Sequence, residues 1–128
     1  VILIDSDVLI AHLRGLDVAR AWLLDARAAG PLMISAVSVA ELTGGMRSAE
    51  RREVWALFGA LRIEPVTEMI ARRAGEFMRQ HRRSHSGIEL ADYLIAATAD
   101  VRGLELATLN IRHYPMFEGL AAPFPLPA

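Results

Sequence analysis

The sequence predicts an α/β fold, an open parallel sheet of four or five strands with helices on both faces. Two observations lead there. Short apolar runs of strand length alternate with longer stretches of helical apolar spacing along all 128 residues, the rhythm of parallel strands joined by crossover helices. The chain also carries no internal repeat, low-complexity tract or linker, so residues 1–128 read as one domain with one core.

The elements follow in order. Val1–Ile4 is a buried strand that runs straight into two acids, Asp5 and Asp7. Leu9–Arg14 reads as a short helix, with Asp7 suited to its N-cap. Asp17–Ala29 is a longer helix, N-capped by Asp17 and stopped by Gly30-Pro31. Leu32–Ser35 is the second strand, and Val37–Gly45 has helical spacing up to a glycine pair. Ala49–Leu61 is helical, with Val54, Leu57, Phe58 and Leu61 on one stripe. Arg62–Val66 is a short strand that Pro65 interrupts. Thr67 caps a helix over Glu68–Arg83, with Ile70, Ala74, Phe77 and Met78 inward. Ser84–Gly87 is a turn, Leu90–Arg102 an apolar helix closed by Gly103, and Leu104–Thr108 the fourth strand. The proline-rich tail, 122–128, is expected to hold a short edge strand.

Composition narrows the function. Apolar residues make up 53% of the chain, which supports a filled core and argues against disorder. No apolar run is long enough to span a bilayer, which needs roughly 18 residues, so no membrane role and a cytoplasmic location are expected. Cysteine is absent, which excludes disulfides and thiolate metal sites. The net charge of −1 conceals a segregation. Lysine is absent, and between Arg47 and Arg83 nine arginines face five acids, whereas the remainder has five arginines and ten acids. A basic flank that holds phosphates beside acids that hold a metal is one reading of this; two amphipathic helices with solvated arginines is the other.

In open parallel sheets, ligands sit beyond the carboxyl ends of the strands. Asp5 stands at the end of the first strand, Ser35 at the end of the second and Asn110 just past the fourth. Glu41 lies inside ISAVSVAELTGG on a stripe with Ser38, and Asp92 near the start of the apolar helix ELADYLIAATA. Each has a structural alternative: a turn-capping aspartate, a solvated glutamate, an anion at a helix N-terminus. Two carboxylates about 4 Å apart repel by roughly 4 kcal/mol at an effective dielectric near 20. If Asp5, Glu41 and Asp92 converge, a divalent cation reverses that sign, and an all-oxygen set suits Mg²⁺ or Mn²⁺. The i,i+4 pair His81 and His85 has no acidic third ligand beside it and reads as surface.

With those acids in place, the chain resembles PIN-domain ribonucleases, in particular the VapC-type toxins of bacterial toxin–antitoxin pairs. VILIDSDVLI, ISAVSVAELTGG, GIELADYLIAATA and LATLNIRHYPMF carry the resemblance, in family order and spacing over essentially the whole chain. It implies a three-layer PIN-like sandwich and a Mg²⁺- or Mn²⁺-dependent endoribonuclease site that activates water and leaves 5′-phosphate and 3′-hydroxyl ends. It also implies a homodimer and a cognate antitoxin that covers the acids. On the family pattern Asp5, Glu41 and Asp92 are metal ligands and Ser6 and Ser38 supporting hydroxyls; in the mechanism this suggests, Asn110 is expected to orient a water or phosphate as a catalytic residue, and Arg112, the nearest arginine in sequence, to contact the RNA backbone. The sequence departs from the family's T-x-D pattern at Thr108-Leu109-Asn110, with His113 where a further acid is common. The amide of Asn110 brings no charge, which favours one metal over a permanent pair.

Two other enzyme classes share the opening motif. Haloacid-dehalogenase-type phosphatases and phosphorylated receiver domains both need a lysine or other base after a later strand, and the chain has no lysine. A glycine-rich phosphate loop is also missing. The remaining alternative is a PIN-like partner of a DNA-binding antitoxin that acts through complex formation with little nuclease activity. Surfaces around Trp22 and Trp55 would serve such a partner.

Overall fold

A computed structural model describes residues 1–126. Among them, four strands form one parallel sheet: β1 (Ile2–Ile4), β2 (Leu32–Ser35), β3 (Arg62–Glu64) and β4 (Glu105–Ala107), in the spatial order β3-β2-β1-β4. The helices are α1 (Ser6–Leu13), α2 (Asp17–Ala29), α3 (Ala36–Gly45), α4 (Arg51–Ala60), α5 (Glu68–His81) and α6 (Leu90–Arg102).

Strand alternation sorts the apolar residues between two cores. Leu3 and Met33 point to one face, where they meet Ile70, Ala74 and Phe77 of α5 and Tyr93, Ile95 and Ala99 of α6. Ile4, Leu32 and Ile34 point to the other, against Val8 and Leu9 of α1, Ala19 and Leu23 of α2, Leu42 of α3 and Val54 of α4. Successive side chains of a strand take opposite faces, so a continuous apolar run serves both layers at once. The result is the three-layer arrangement expected. Ile34 and Ile70 are fully buried; truncating either to alanine should cost about 2–5 kcal/mol.

The helix ends follow local chemistry. The Thr67 hydroxyl accepts from the Ile70 N–H at 3.3 Å to start α5. Gly103 closes α6 with φ +65, a left-handed conformation that suits glycine. The 3₁₀ turn Ser48–Glu50 leads into α4, where one longer helix was expected. Glu50 explains that break: it accepts from the Arg47 N–H and pairs with Arg14, the C-cap of α1.

Several boundaries differ from the sequence reading. The first helix starts at Ser6, and its N-cap is Asp5, whose Oδ1 accepts from the Ser6 N–H at 2.8 Å. Asp7 is therefore inside the first turn and does not cap. Asp17 likewise lies within the first turn of α2, whose N-cap is Leu16 without a side-chain bond. β3 stops at Glu64, ahead of Val66, because Pro65 lacks the N–H a longer ladder would need. β4 ends at Ala107, which leaves Thr108 outside the sheet. The expected edge strand of the tail is absent from 122–126, and 127–128 lie outside the described residues. Instead Phe124 is buried against Trp22, with ring centroids 6.3 Å apart. No helix among the described residues is long and apolar enough to cross a membrane.

Candidate active site

The chain runs from β1 to β2 to β3 in one direction across the sheet, then crosses back to place β4 on the other side of β1. Such a reversal opens a crevice at the carboxyl ends of the two strands. The Asp5 N–H donates to the Ala107 carbonyl at 2.9 Å, which holds the end of β1 beside the end of β4. Asp5 and Thr108 therefore face each other across the crevice.

Asp5 is 6% exposed. Its Oδ2 accepts two hydroxyl hydrogen bonds, from Thr108 Oγ1 and from the Tyr114 phenol, both at 2.8 Å. Two hydroxyl donors on one oxygen fix the orientation of this carboxylate. With Oδ2 taken and Oδ1 bound, among the described residues, to the Ser6 N–H alone, capacity for a further partner rests on Oδ1. Neither Thr108 nor Tyr114 was singled out from sequence. Both lie in the quoted LATLNIRHYPMF segment, and a hydroxyl facing an acid at the switch point was the available signal.

Asp7 joins the cluster instead of capping a helix. Its Oδ2 accepts from the Leu109 N–H at 3.1 Å and lies 3.3 Å from the Thr108 hydroxyl, while Oδ1 is buried with no partner among the described residues. Burial and then the charge of Asp5 push its carboxyl up to about 7. Thr108 has one proton to give, and the shorter bond goes to Asp5.

Glu41 arrives from α3. The residue is exposed overall, but its Oε1 accepts from the Ser6 hydroxyl at 2.6 Å. Desolvation raises its pKa against the Ser6 hydrogen bond, with further contributions from the charges of Asp5, Asp92 and Glu89. Asp92, in the first turn of α6, accepts from the Glu89 N–H at 3.0 Å and lies 3.3 Å from His113 Nδ1. Its pKa is raised as well, by desolvation first and then by Asp5 and Glu89, opposed by the Glu89 N–H and His113. Asp5 acts on both of the other acids, and Asp92 acts on Glu41. The three expected ligands thus share one electrostatic neighbourhood.

Their chemistry fits a hard divalent cation. All offer carboxylate oxygens, and the buried Oδ1 of Asp7 beside them has no donor among the described residues. Among the described residues, though, no three acidic or histidine side chains form a closed ligand sphere about one point. The acids converge without being clenched. Among the other expected residues, Ser6 bridges Asp5 and Glu41, whereas Ser38 is fully buried and its hydroxyl has no partner among the described residues. Asn110 is exposed; its N–H donates to Thr108 Oγ1 at 3.0 Å, and its side-chain amide has no bond among the described residues. Arg112 is exposed and lines an open groove together with His113.

A family model for the PIN domain matches residues 2–116. The chain belongs to the PIN-domain family. Within it, this PIN domain is of the VapC type: it is 67% identical over 126 residues to a protein of Mycobacterium tuberculosis called Ribonuclease VapC10, covering 98% of this chain and 95% of that one. Among solved structures, a toxin–antitoxin complex from Klebsiella pneumoniae contains a chain with the same fold, at TM-score 0.79 and 23% identity, covering 98% of this chain and 100% of that one. FitAB bound to an IR36 DNA fragment contains another, at TM-score 0.77 and 26% identity, covering 100% and 99%.

Proposed function

We propose that this PIN domain, acting as one unit over residues 1–128, is a Mg²⁺- or Mn²⁺-dependent endoribonuclease and the toxin of a toxin–antitoxin pair. The observation that carries the reading is geometric: at the switch point Ser6 ties Asp5 to Glu41, its N–H donating to Asp5 at 2.8 Å and its hydroxyl to Glu41 at 2.6 Å, with Asp92 close enough for its charge to act on Glu41. The relative named Ribonuclease VapC10, at 67% identity, supports it.

Asp5, Glu41 and Asp92 would hold the ion, directly or through water, since the cage is open as it stands. When bound, such an ion supplies Lewis acidity for activating water and polarising a phosphate. The chain's own part is positioning. Thr108 and Tyr114 fix Asp5, Ser6 fixes Glu41, and the Glu89 N–H with His113 fixes Asp92. Asn110, exposed at the rim, orients a water or a phosphate oxygen, and Arg112 faces the RNA backbone. In-line attack of a water oxygen on phosphorus, with the P–O3′ bond breaking and the water's proton ending on the leaving 3′-oxygen, would give 5′-phosphate and 3′-hydroxyl ends.

Partners follow from the same reading. A groove between α1 and α3, lined by Ile10, Leu13, Leu42 and Met46, reaches Glu41 and is flanked by the Arg14–Glu50 pair. A single antitoxin side chain entering this small cavity, of about 30 Å³, would cover an acid of the site. Trp55 is 47% exposed beside Phe58, and an aromatic pair of this kind supports a homodimer contact. Trp22, by contrast, belongs to the core through Phe124. A cytoplasmic location, where cellular RNA is found, is part of the same proposal.

The reading is tested by incubating the purified chain with total RNA in Mg²⁺, Mn²⁺ or chelator, beside Asp92→Asn. Cleavage that needs the cation and Asp92, with mapped 5′-phosphate ends, is expected. Cleavage indifferent to both would remove the proposed centre, and no cleavage under any condition would favour a partner acting through complex formation.

A further inference from the structure

The acid cluster has a neighbour of opposite character. The turn after α5 and the 3₁₀ turn Ile111–His113 form the walls of an open groove of about 600 Å³. His85, Ser86 and Gly87 line one wall, Arg112 and His113 the other, and no acidic side chain lines it. Arg112 is exposed and makes no ion pair among the described residues, unlike Arg73, Arg72, Arg102 and Arg14. The groove is continuous with the acids, because His113 lines it and also sits 3.3 Å from Asp92.

From this juxtaposition we infer that the groove is the seat of the single-stranded RNA adjoining the scissile phosphate. The inference rests on the ribonuclease reading and adds the path of the substrate. A phosphodiester strand is repelled by bare carboxylates, so a strand crossing the acid cluster needs compensating donors on one flank. Arg112 supplies a guanidinium fork suited to phosphate oxygens, Ser86 a hydroxyl, and the two imidazoles flat faces and N–H donors for an unstacked base. The groove's volume lies within the roughly 300–1,000 Å³ typical of small-ligand sites. That suits a short unstacked stretch and not a duplex. Recognition through phosphate by one guanidinium predicts a modest salt dependence, a slope of about 0.7 from Arg112, and little base preference.

The test uses the full-length Asp5→Asn protein in chelator, so that the probe survives, with a fluorescein-labelled single-stranded hexauridylate read by anisotropy. Arg112→Ala added to that background should weaken binding about tenfold and lower the slope of log K against log salt by about 0.7. Arg112→Lys should restore the slope, and Ser86→Glu should weaken binding further by adding an anion to the wall. Arg20→Ala, on α2, should bind as the parent does. Thermal melts establish that each variant is folded. Unchanged affinity and salt slope in both Arg112→Ala and Ser86→Glu would overturn the inference, as would tighter binding of an RNA duplex of equal length. The two readings fail separately. If the wild-type chain cleaves RNA but its KM is unmoved by both substitutions, the groove falls and the nuclease stands. If it never cleaves and both substitutions still weaken binding, the groove stands alone.

Discussion

The Tyr114 hydroxyl donates to Oδ2 of Asp5 at 2.8 Å, joining residues 109 apart in sequence at the floor of the acid cluster. The phenol is 1% exposed, and burial with the nearby Asp5 charge pushes its ionisation well above the ordinary range. It therefore remains a donor at every working pH. Its ring stacks with Phe117, which in turn meets Phe77 of α5 edge-on, and Tyr114 belongs to the core on that face, so the same residue anchors the core and orients the acid.

Tyr114→Phe keeps the ring and removes only that donor. A hydrogen bond to an ionised group contributes about 1.5–3 kcal/mol, and the partner left behind is buried. Urea unfolding should show a loss of that size with an unchanged m-value. A loss near zero would mean that the Thr108 hydroxyl alone satisfies Asp5.

Stability should depend on pH in an unusual direction when no cation is present. Asp7 has an ordinary value of 3.8 and is pushed up to about 7 in the fold, so between those values the folded chain binds more protons than the unfolded one. Stability then falls as pH rises through that window and levels off above it. Glu41 and Asp92 are shifted upward too and act in the same sense. In chelator, the advantage of Asp7→Asn over wild type should grow from about pH 4 to about pH 7. A difference that stays flat across that range would show that Asp7 titrates normally.

Much of this architecture was legible in the sequence, and the boundary is physical. Leu32–Ser35 and Leu90–Arg102 were read to the residue because apolar runs and a closing glycine are local signals. Asp5, Glu41 and Asp92 stood out because acids inside or at the end of apolar elements need a reason, and their assignment to a cation is a proposal. Asp7 was misread as a cap. Its environment is set by Thr108 and Leu109, about a hundred residues away, and local pattern carries no information about that. Thr108 and Tyr114 were missed for the same reason: a threonine past a strand and a tyrosine in a loop look ordinary until β4 is laid beside β1. The tail was expected to add a strand, but its prolines withhold backbone donors, and Phe124 contributes by burial against Trp22.

Ser6→Ala leaves the Ser6 N–H bond to Asp5 intact and removes the hydroxyl that holds Glu41 at 2.6 Å. Cleavage should fall about tenfold, the rate equivalent of roughly 1.4 kcal/mol. The loss should appear in kcat more than in KM, since Glu41 is assigned to the cation and not to the RNA. An effect confined to KM would reassign Ser6 to substrate binding.

A cation bound only by the folded state stabilises it by mass action, about 2.7 kcal/mol at a hundred times its dissociation constant. Because Glu41, Asp92 and Asp7 all have raised values, protons compete with the ion at low pH. Melting in saturating Mn²⁺ should therefore rise more at about pH 8 than at about pH 5. An equal rise at both would indicate binding away from these carboxylates.

The most direct measurement is a calorimetric titration of Mn²⁺ into the purified chain and into Asp5→Asn, Glu41→Gln and Asp92→Asn, each shown by melting to be folded. The account predicts one strong equivalent in the wild type and at least a tenfold weakening in each variant. Binding that any one of the three leaves unaltered would contradict a cation site shared by Asp5, Glu41 and Asp92.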